Sequence, residues 1–321
     1  VLKKKLHMKL GLGTAALGRP QYINVRAGNS NNSDLEAFRK HSFSVLEEAY
    51  KLGVRYFDTA PGYGLAEKLV LEWLQTKNDD SIEIATKWGY TYTANFDVNA
   101  TIHEVKEHSF SKLNEQWNFS KQLLPYLKVY QIHSATIETG VLENKEVLKQ
   151  LAFLKKEYNL KIGLTTTGTN QVEIIKKALD VLVNGEQLFD MFQVTYNFLD
   201  QSLLEIFKDL MQQNKSIVIK EALANGRVFR NQHYKHYDEM YAVLESLSKK
   251  HTVGIDAISL KYCTQTIPES IVLSGASDIG QLKENLKLTS FSLSPDEIKL
   301  LDSLKVSSKF YWAERKKLQW N

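Results

Sequence analysis

Eight apolar runs of strand length alternate with longer amphipathic stretches along almost the whole 321-residue sequence. Runs such as Ile217–Ile219 and Ile271–Leu273 are continuously apolar, which is typical of strands buried on both faces. The stretches between them, such as Val172–Leu182, carry apolar residues at the spacing of an amphipathic helix. The predicted strands are Leu6–Leu12, Arg55–Asp58, Glu83–Lys87, Val129–Ile132, Lys161–Leu164, Met191–Thr195, Ser216–Lys220 and Ser270–Leu273. Eight successive βα units favour an α/β fold of the closed (β/α)8 type, the TIM barrel.

An open, doubly wound sheet is the alternative fold, because Gly11–Ala16 fits the loose G-x-G-x-x-A dinucleotide fingerprint after a predicted strand. That fingerprint must open a helix immediately, whereas residues 18–33 delay the first helical pattern until about Asp34. Dividing the length by about 150 suggests two domains, but barrels commonly use about 250 residues or more as one. We therefore expect residues 1–321 to form a single barrel domain with an extra C-terminal helix and a tail, residues 305–321.

Composition and charge exclude several classes of protein. Lys and Arg number 41 against 37 Asp and Glu, a net charge of +4, and the charges are scattered rather than grouped as on a nucleic-acid-binding surface. No stretch approaches the roughly 18 apolar residues that a membrane helix needs. The basic start, Lys3–Lys5, lacks the apolar run of a secretory signal. We expect a cytoplasmic protein that acts on a small molecule and binds neither nucleic acid nor a membrane.

Cysteine and histidine usage limits the metal and redox chemistry. The single cysteine, Cys263, cannot form an internal disulfide and excludes thiolate-rich zinc and iron–sulfur sites. His233 and His236 stand three residues apart, but no third ligand is evident nearby. We therefore expect no metal site, and any redox chemistry would use a bound cofactor.

Polar residues mark the ends of three predicted strands, which is where a (β/α)8 barrel carries its reactive side chains. Asp58, Lys87 and His133 each end or directly follow a strand, and Tyr63 lies five residues after Asp58. Taken singly, each residue has a structural explanation. Asp58 could cap a helix, Tyr63 could pack against a loop, Lys87 could be a surface charge and His133 could be a hydrogen-bonded core histidine. Together the four form a candidate site for acid–base chemistry.

A set of different short motifs is spread in a defined order along almost the whole chain. They are Gly11–Thr14, Phe57–Gly64 with Glu67, Thr86–Lys87, Ile132–His133, Gln193–Asn197 and Gly275–Ser277 followed by Gln281 and Glu284–Asn285. In this order the sequence resembles the aldo-keto reductase family. The resemblance implies a (β/α)8 barrel that reduces aldehydes or ketones with a nicotinamide cofactor, and it maps the catalytic tetrad onto Asp58, Tyr63, Lys87 and His133 without a substitution.

The chemistry of carbonyl reduction needs these four types. Tyr63 is the candidate acid that protonates the carbonyl oxygen after hydride attack. A cation about 4 Å away is worth about 4 kcal/mol at an effective dielectric of about 20, so we expect Lys87 to lower the pKa of Tyr63. Asp58 would hold Lys87, and a neutral His133 would orient the carbonyl. The expected activity is NAD(P)H-dependent reduction of an aldehyde, ketone or aldose; the alternative is a cofactor-binding regulatory subunit with little turnover.

The resemblance also assigns a set of cofactor-binding residues at the strand ends and in the last loops. They are Gly13, Thr14, Asp58, Thr165, Thr166, Gln193, Lys220, Leu223, Gly226, Gly275, Ala276, Ser277, Gln281, Glu284 and Asn285. The two cations that commonly grip the 2′-phosphate of NADP are absent here, since their positions hold Gly275 and Gln281. We expect NADP as the preferred cofactor. NAD should also be accepted, because without these cations the protein should discriminate only weakly between the two.

Lys220 is the sharpest departure from the family pattern, because many relatives carry an aromatic residue there that stacks on the nicotinamide. A lysine beside an oxidised, cationic ring would be repelled, which biases binding toward the reduced cofactor. The alternative is that Lys220 turns away to pair with a carboxylate such as Glu221.

Aromatic residues are the candidates for the substrate-binding wall. We expect Tyr22, Trp88, Tyr90 and Tyr311 to line it, which suits a flat, apolar or sugar-like substrate face. The aromatic and basic segment Phe310–Trp320 could cover the substrate mouth, pack on the barrel exterior or form an oligomer contact.

Overall fold

A computed structural model describes residues 9–19, 35–97 and 99–318, and its central feature is a closed barrel of eight parallel strands. The barrel strands are β1 Leu10–Gly13, β2 Tyr56–Asp58, β3 Glu83–Trp88, β4 Leu127–Ala135, β5 Lys161–Thr166, β6 Met191–Thr195, β7 Ser216–Lys220 and β8 Ile271–Ser274. Each strand pairs with its neighbours in the sequence, and β8 closes the barrel against β1. The predicted (β/α)8 barrel is confirmed.

Helices follow the strands and surround the barrel. They are α1 Ala15–Gly18, α2 Leu35–Lys51, α3 Ala66–Leu74, α4 Phe110–Ser120, α5 Lys145–Glu157, α6 Gln171–Leu179, α7 Phe207–Gln212, α8 Asp238–His251, α9 Ile255–Thr266, α10 Ile279–Leu286, α11 Pro295–Asp302 and α12 Ser308–Arg315. Short 3₁₀ helices cover Pro61–Tyr63, Lys121–Leu123, Ser202–Glu205, Ala224–Gly226, Gln232–Tyr237 and Lys287–Thr289. Within the described ranges, no helix combines the length and apolarity needed to cross a membrane.

Two antiparallel hairpins lie outside the barrel. One pairs Tyr90–Tyr92 with Glu104–Lys106 between β3 and α4, and the other pairs Leu182–Val183 with Glu186–Gln187. The first hairpin begins two residues after Trp88, the last residue of β3, so it lies at the end of the barrel where catalytic residues were predicted.

The start of the chain differs from the prediction in one respect. The one-turn helix α1 follows β1 almost directly, whereas the sequence suggested that helical structure begins only near Asp34. Four residues are too few to show the periodicity of a longer helix, so the sequence pattern could not reveal α1. The closed barrel shows that the glycine motif at Gly11–Ala16 does not belong to an open sheet.

Side chains alternate between the two faces of each strand, so one residue packs in the apolar core and the next lies on the face that carries the site. Phe57 belongs to the large apolar core, whereas Tyr56 belongs to a separate cluster with Ala85 and Val218, side chains of other barrel strands. Because successive strand residues point to opposite faces, Asp58 shares the face of Tyr56. Gly11 leaves room for this packing, since an added Cβ would come within 2.8 Å of the Tyr56 ring.

Candidate active site

Lys87 and Asp58 form a buried ion pair at the ends of the neighbouring strands β3 and β2. Lys87 Nζ donates to Asp58 Oδ1 and also to the Thr59 carbonyl at 3.0 Å. The other carboxylate oxygen of Asp58 accepts from Gln193 Nε2 at 2.7 Å and from Gln131 Nε2 at 3.4 Å. These added hydrogen bonds offset part of the desolvation cost that a buried ion pair incurs.

Tyr63 and His133 complete the group at the same end of the barrel. Tyr63 ends the short 3₁₀ helix that follows β2, and its hydroxyl lies 3.5 Å from His133 Nε2. The two rings are nearly perpendicular, with centroids 5.4 Å apart. Lys87 Nζ lies 4.7 Å from the centre of the Tyr63 ring. The structure therefore brings all four predicted catalytic residues into one cluster.

The pKa of Tyr63 shifts in the direction opposite to the one expected from the sequence. Burial, followed by the negative charge of Asp58, raises the pKa of Tyr63 well above its usual value. The expectation that Tyr63 has a lowered pKa beside Lys87 is wrong in its net direction, because desolvation of the phenolate and the charge of Asp58 outweigh the lowering effect of nearby positive charge, of which Arg19 is the source. Tyr63 is consequently a protonated phenol at neutral pH.

His133 is held in its neutral form. Burial, and then the positive charges of Lys87 and Arg19, lower the pKa of His133 well below its usual value. Arg19 stands at the same wall, 5.6 Å from the Tyr63 ring centre, and pairs with Glu104 at 3.0 Å. A neutral imidazole beside a protonated phenol offers two neutral hydrogen-bonding groups to one substrate oxygen.

A cavity of about 980 Å³ opens above the tetrad and extends across the mouth of the barrel toward α10. Most of the predicted cofactor-binding residues line it: Gly13, Asp58, Thr165, Gln193, Lys220, Leu223, Gly226, Gly275, Ala276, Ser277, Gln281 and Asn285. Tyr63 and His133 line it as well, whereas Lys87 lies beneath the surface of the wall.

Three predicted cofactor-binding residues lie outside this lining. Thr14 donates from its main-chain and side-chain groups to the Asp58 carbonyl. The Thr166 hydroxyl donates to Gln171 Oε1 at 3.3 Å, and Glu284 pairs with Lys287 at 2.7 Å. Thr14 therefore contacts the site only through the backbone of a tetrad residue.

The far end of the cavity is built by the loop after β8 and the start of α10. Gln281 Oε1 accepts from the Ser277 main-chain N–H at 2.9 Å and from its hydroxyl at 3.2 Å. Asn285 Nδ2 donates to Asp256 at 2.5 Å, and Asp256, which the sequence analysis missed, also lines the cavity. Within the described lining, this end carries no Lys or Arg, and the nearby Lys283 pairs with Glu48 at 3.1 Å.

Lys220 lines the cavity at the end of β7. Its Nζ donates to the Thr195 hydroxyl at 2.9 Å and lies 5.9 Å from the Trp312 ring centre. Glu221, the alternative partner, instead pairs with Arg315 at 3.0 Å. Burial lowers the pKa of Lys220, so its amine holds the proton less strongly than an exposed lysine does.

Helix α12 supplies part of the cavity wall through Trp312 and Arg315, with Lys316 directly after it. Trp312 Nε1 donates to Asp200 at 3.0 Å, which fixes the indole. On the same helix, Glu314 pairs with the buried Arg227 at 3.2 Å. The helix is thereby attached to the segment that follows β7.

The predicted substrate residues separate into three groups. Tyr90 lines the cavity, with its ring 4.7 Å from that of His133. Trp88 and Tyr311 are fully buried and lie outside the cavity lining. Tyr22 lies outside the described residues. Trp88 follows Lys87 on a strand and so takes the opposite face, while Tyr311 is turned toward Asn197 and Glu221.

His236, one of the two histidines that stand three residues apart in the sequence, contacts helix α12. His236 Nε2 lies 2.7 Å from Glu314 Oε1, beside the attachment of α12. In the described part of the chain, no group of three His, Cys, Asp or Glu residues is arranged to hold a metal ion.

Comparison with known proteins identifies proteins similar to this chain in sequence and in fold. An NADH-specific methylglyoxal reductase of Escherichia coli strain K12 is 23% identical over 321 aligned residues, which cover 91% of this chain and 93% of that protein. The holo form of an aldo-keto reductase from Bacillus halodurans superposes with a TM-score of 0.70 at 22% identity, covering 93% of this chain and 92% of that chain.

A second solved structure is an aldo/keto reductase of Klebsiella pneumoniae in complex with NADP and acetate. It superposes with a TM-score of 0.66 at 18% identity and covers 92% of this chain and 90% of that chain. These structural likenesses show a shared fold. The sequence also matches the model of the Aldo/keto reductase family over residues 9–306, nearly the whole chain. The chain therefore belongs to the aldo/keto reductase family.

Proposed function

We propose that this protein reduces the carbonyl group of an aldehyde, ketone or aldose to an alcohol, with NAD(P)H as the reductant and Tyr63 as the general acid. The observation that carries the proposal is the placement of Tyr63 and His133 on one cavity wall, 3.5 Å apart, above the Lys87–Asp58 pair. Family membership supports it, as does the similarity to the Escherichia coli relative, a methylglyoxal reductase.

The cavity fits a dinucleotide. It runs from the tetrad to the first turn of α10, and about 980 Å³ is at the upper end of the range for ligand pockets. Gln193 and Thr165 line the tetrad end of the cavity and would hold the nicotinamide, while Gly275, Ser277 and Asn285 line the α10 end and would hold the adenosine. When bound, a reduced nicotinamide cofactor supplies a hydride to the carbonyl carbon.

The chain's own residues handle the oxygen and the proton. His133, kept neutral by its surroundings, donates one N–H to the carbonyl oxygen and fixes its direction. Tyr63 gives its phenolic proton to the oxygen as negative charge develops there, because its raised pKa keeps that proton in place until it is needed. Lys87, anchored by Asp58 and Thr59, limits the cost of the phenolate that results.

For the cofactor we favour NADPH, with NADH also accepted. The Klebsiella pneumoniae structure was solved with NADP, whereas the Escherichia coli relative is NADH-specific. The Ser277 hydroxyl would be the polar group available to a 2′-phosphate, since it donates to Gln281 Oε1 here and Lys283 pairs with Glu48. Without a charge-assisted contact, discrimination between the two cofactors should be small.

The test is to mix the purified protein with NADPH or NADH and a panel of aldehydes, ketones and sugars, following the absorbance of the reduced nicotinamide. Carbonyl-dependent oxidation is expected, and Tyr63→Phe should slow it by about 10²- to 10⁴-fold. Tight cofactor binding without turnover on any substrate would overturn the proposal and favour a regulatory, cofactor-sensing subunit.

A further inference from the structure

The main chain around His133 departs from regular strand pairing just where the imidazole enters the cavity. The pairing of β4 with β5 runs through Ile132 opposite Leu164 and resumes at Ala135 opposite Thr166, so β4 contains one extra residue in this interval. Ser134, inside the interval, has φ of 54°, a left-handed conformation uncommon for residues other than glycine. Bulges of this kind redirect side chains near active sites, and their surroundings must hold them in place.

Three side chains hold this bulge by its main-chain atoms. His108 Nε2 is 2.9 Å from the His133 carbonyl oxygen, which can only accept. The Ser134 N–H donates to Thr165 Oγ1 at 2.7 Å, and Lys106 Nζ donates to the Ser134 carbonyl at 3.0 Å. These side-chain contacts hold backbone groups that the irregular pairing of β4 with β5 displaces from the ladder. Lys106 ends the second strand of the hairpin after β3, and His108 lies two residues further on.

His108 is rigidly placed for this contact. It is buried, and its ring packs edge-on against Trp88 with centroids 5.5 Å apart. The ring also occupies the space above Gly89, where an added Cβ would lie 2.3 Å from it. Burial lowers the pKa of His108 to about 4, so the ring is neutral near pH 7 and its single proton must sit on Nε2 to face a carbonyl.

We propose that His108 is a positioning residue for the reduction, because its Nε2–H holds the His133 carbonyl and so keeps the His133 imidazole directed at the substrate oxygen. The inference rests on the proposed function. His108 lies outside the cavity lining, so it acts on the reaction through His133 rather than by touching substrate. The hairpin and the residues directly after it therefore contribute to the site twice, through Tyr90 in the cavity wall and through His108 behind it.

The test compares His108→Leu, which removes the donor, with His108→Gln, whose amide nitrogen can replace Nε2. The control is His233→Leu, a change at an exposed histidine outside the cavity lining. The His108→Leu variant should lower kcat by about 10- to 100-fold, the loss typical when a partner that orients a metal-binding histidine is removed. KM and the dissociation constant of the reduced cofactor should change by less than roughly threefold. The His108→Gln variant should retain most of the parent's kcat, and the control His233→Leu should have the kcat of the parent.

Two results would overturn the proposal: full activity in His108→Leu, or equal loss in Leu and Gln variants that both fold and bind cofactor. Nitrogen NMR of the parent provides a second measurement if a variant fails to fold. It should find His108 as the neutral Nε2–H tautomer, and the Nδ1–H tautomer would contradict the contact. A parent without turnover would instead refute the proposed function, and the tautomer measurement would still test the His108–His133 contact.

Discussion

Tyr63 and His133 meet across the mouth of the barrel with the phenol oxygen 3.5 Å from Nε2 and the ring planes at 86°. The contact joins residues 70 positions apart, one in a 3₁₀ turn after β2 and one at the bulge in β4. A carbonyl oxygen placed near both atoms would meet a proton donor and an orienting N–H together. This convergence makes each of the two groups separately testable.

Replacement of Tyr63 by Phe should lower kcat by about 10²- to 10⁴-fold, the usual contribution of a positioned acid. Removing one hydroxyl leaves the rest of the cavity intact, so the dissociation constant of NADPH, measured by fluorescence titration, should change by less than roughly threefold. Tyr126→Phe is the matched control, because its hydroxyl bonds to the Lys77 carbonyl outside the cavity lining. Equal turnover in Tyr63→Phe and the parent would exclude Tyr63 as the acid.

Lys220→Tyr should strengthen binding of the oxidised cofactor more than that of the reduced cofactor. If Lys220, which lines the cavity, lies beside the nicotinamide as predicted, the substitution removes a cation from beside a positively charged ring and adds a stacking surface, together worth about 1 kcal/mol. Dissociation constants of both redox forms should be measured, with the exposed Lys208→Tyr as control. If the two forms respond equally, Lys220 does not sense the charge of the ring.

The parent should prefer NADPH over NADH by far less than roughly 1000-fold, because the described residues at the α10 end of the cavity supply no Lys or Arg. Gln281→Arg should increase that preference by about tenfold, the effect of roughly 1.4 kcal/mol. Dissociation constants for the two reduced cofactors, measured for parent and variant, provide the comparison. A parent preference of about 1000-fold would show that the 2′-phosphate has another strong partner.

Glu67 should make the protein less stable as the pH rises from about 4.5 to 7. Burial raises its pKa from 4.5 to about 7, so the folded state retains a proton that the unfolded state releases. The destabilisation is absent below pH 4.5, grows through this window and is complete above pH 7, at most about 3 kcal/mol.

Glu67→Gln removes this titration and can still accept from Thr86 and Ser120, which donate to the carboxylate at 2.6 and 2.8 Å. Thermal unfolding at several values between pH 5 and 8 should therefore show a flatter dependence in the variant. An identical slope in the parent and the variant would mean that Glu67 titrates alike in the folded and unfolded states.

Arg227→Leu should lower the free energy of unfolding by about 3 kcal/mol, because it removes one partner of a buried ion pair. The cost is limited by Tyr237 and His236, which remain as hydrogen-bonding partners of Glu314. The double change Arg227→Leu with Glu314→Leu should cost less than the sum of the two single changes. Denaturant titrations of the three variants measure the coupling, and strict additivity would contradict it.

The parts of this structure that follow from local pattern were predictable. Strand β7 was predicted residue for residue because a continuous apolar run has few alternatives. The tetrad was predictable because parallel strands bring their C-terminal ends together, so residues distant in sequence, such as Asp58 and Lys87, become neighbours.

The remaining features depend on tertiary packing, which a local sequence pattern does not reveal. The direction of the Tyr63 pKa shift follows from burial, which a strand-end position does not reveal. Tyr311 was chosen for the cavity wall, but Trp312 lines it, and one residue along a helix is a rotation of about 100°. His108 and Asp256 belong to no motif, and only the folded chain brings them to His133 and Asn285.

Helix α12 lies beyond the last barrel strand, yet it provides part of the cavity wall. The tetrad comes from residues 58–133, so the proposed reacting groups and this section of wall are encoded far apart. Substitutions at Trp312 or Lys316 can change the shape and charge of the cavity without altering a tetrad residue. A barrel arranged in this way can acquire new ligands by variation in one helix outside the strand–helix repeat, while the residues at its strand ends stay unchanged.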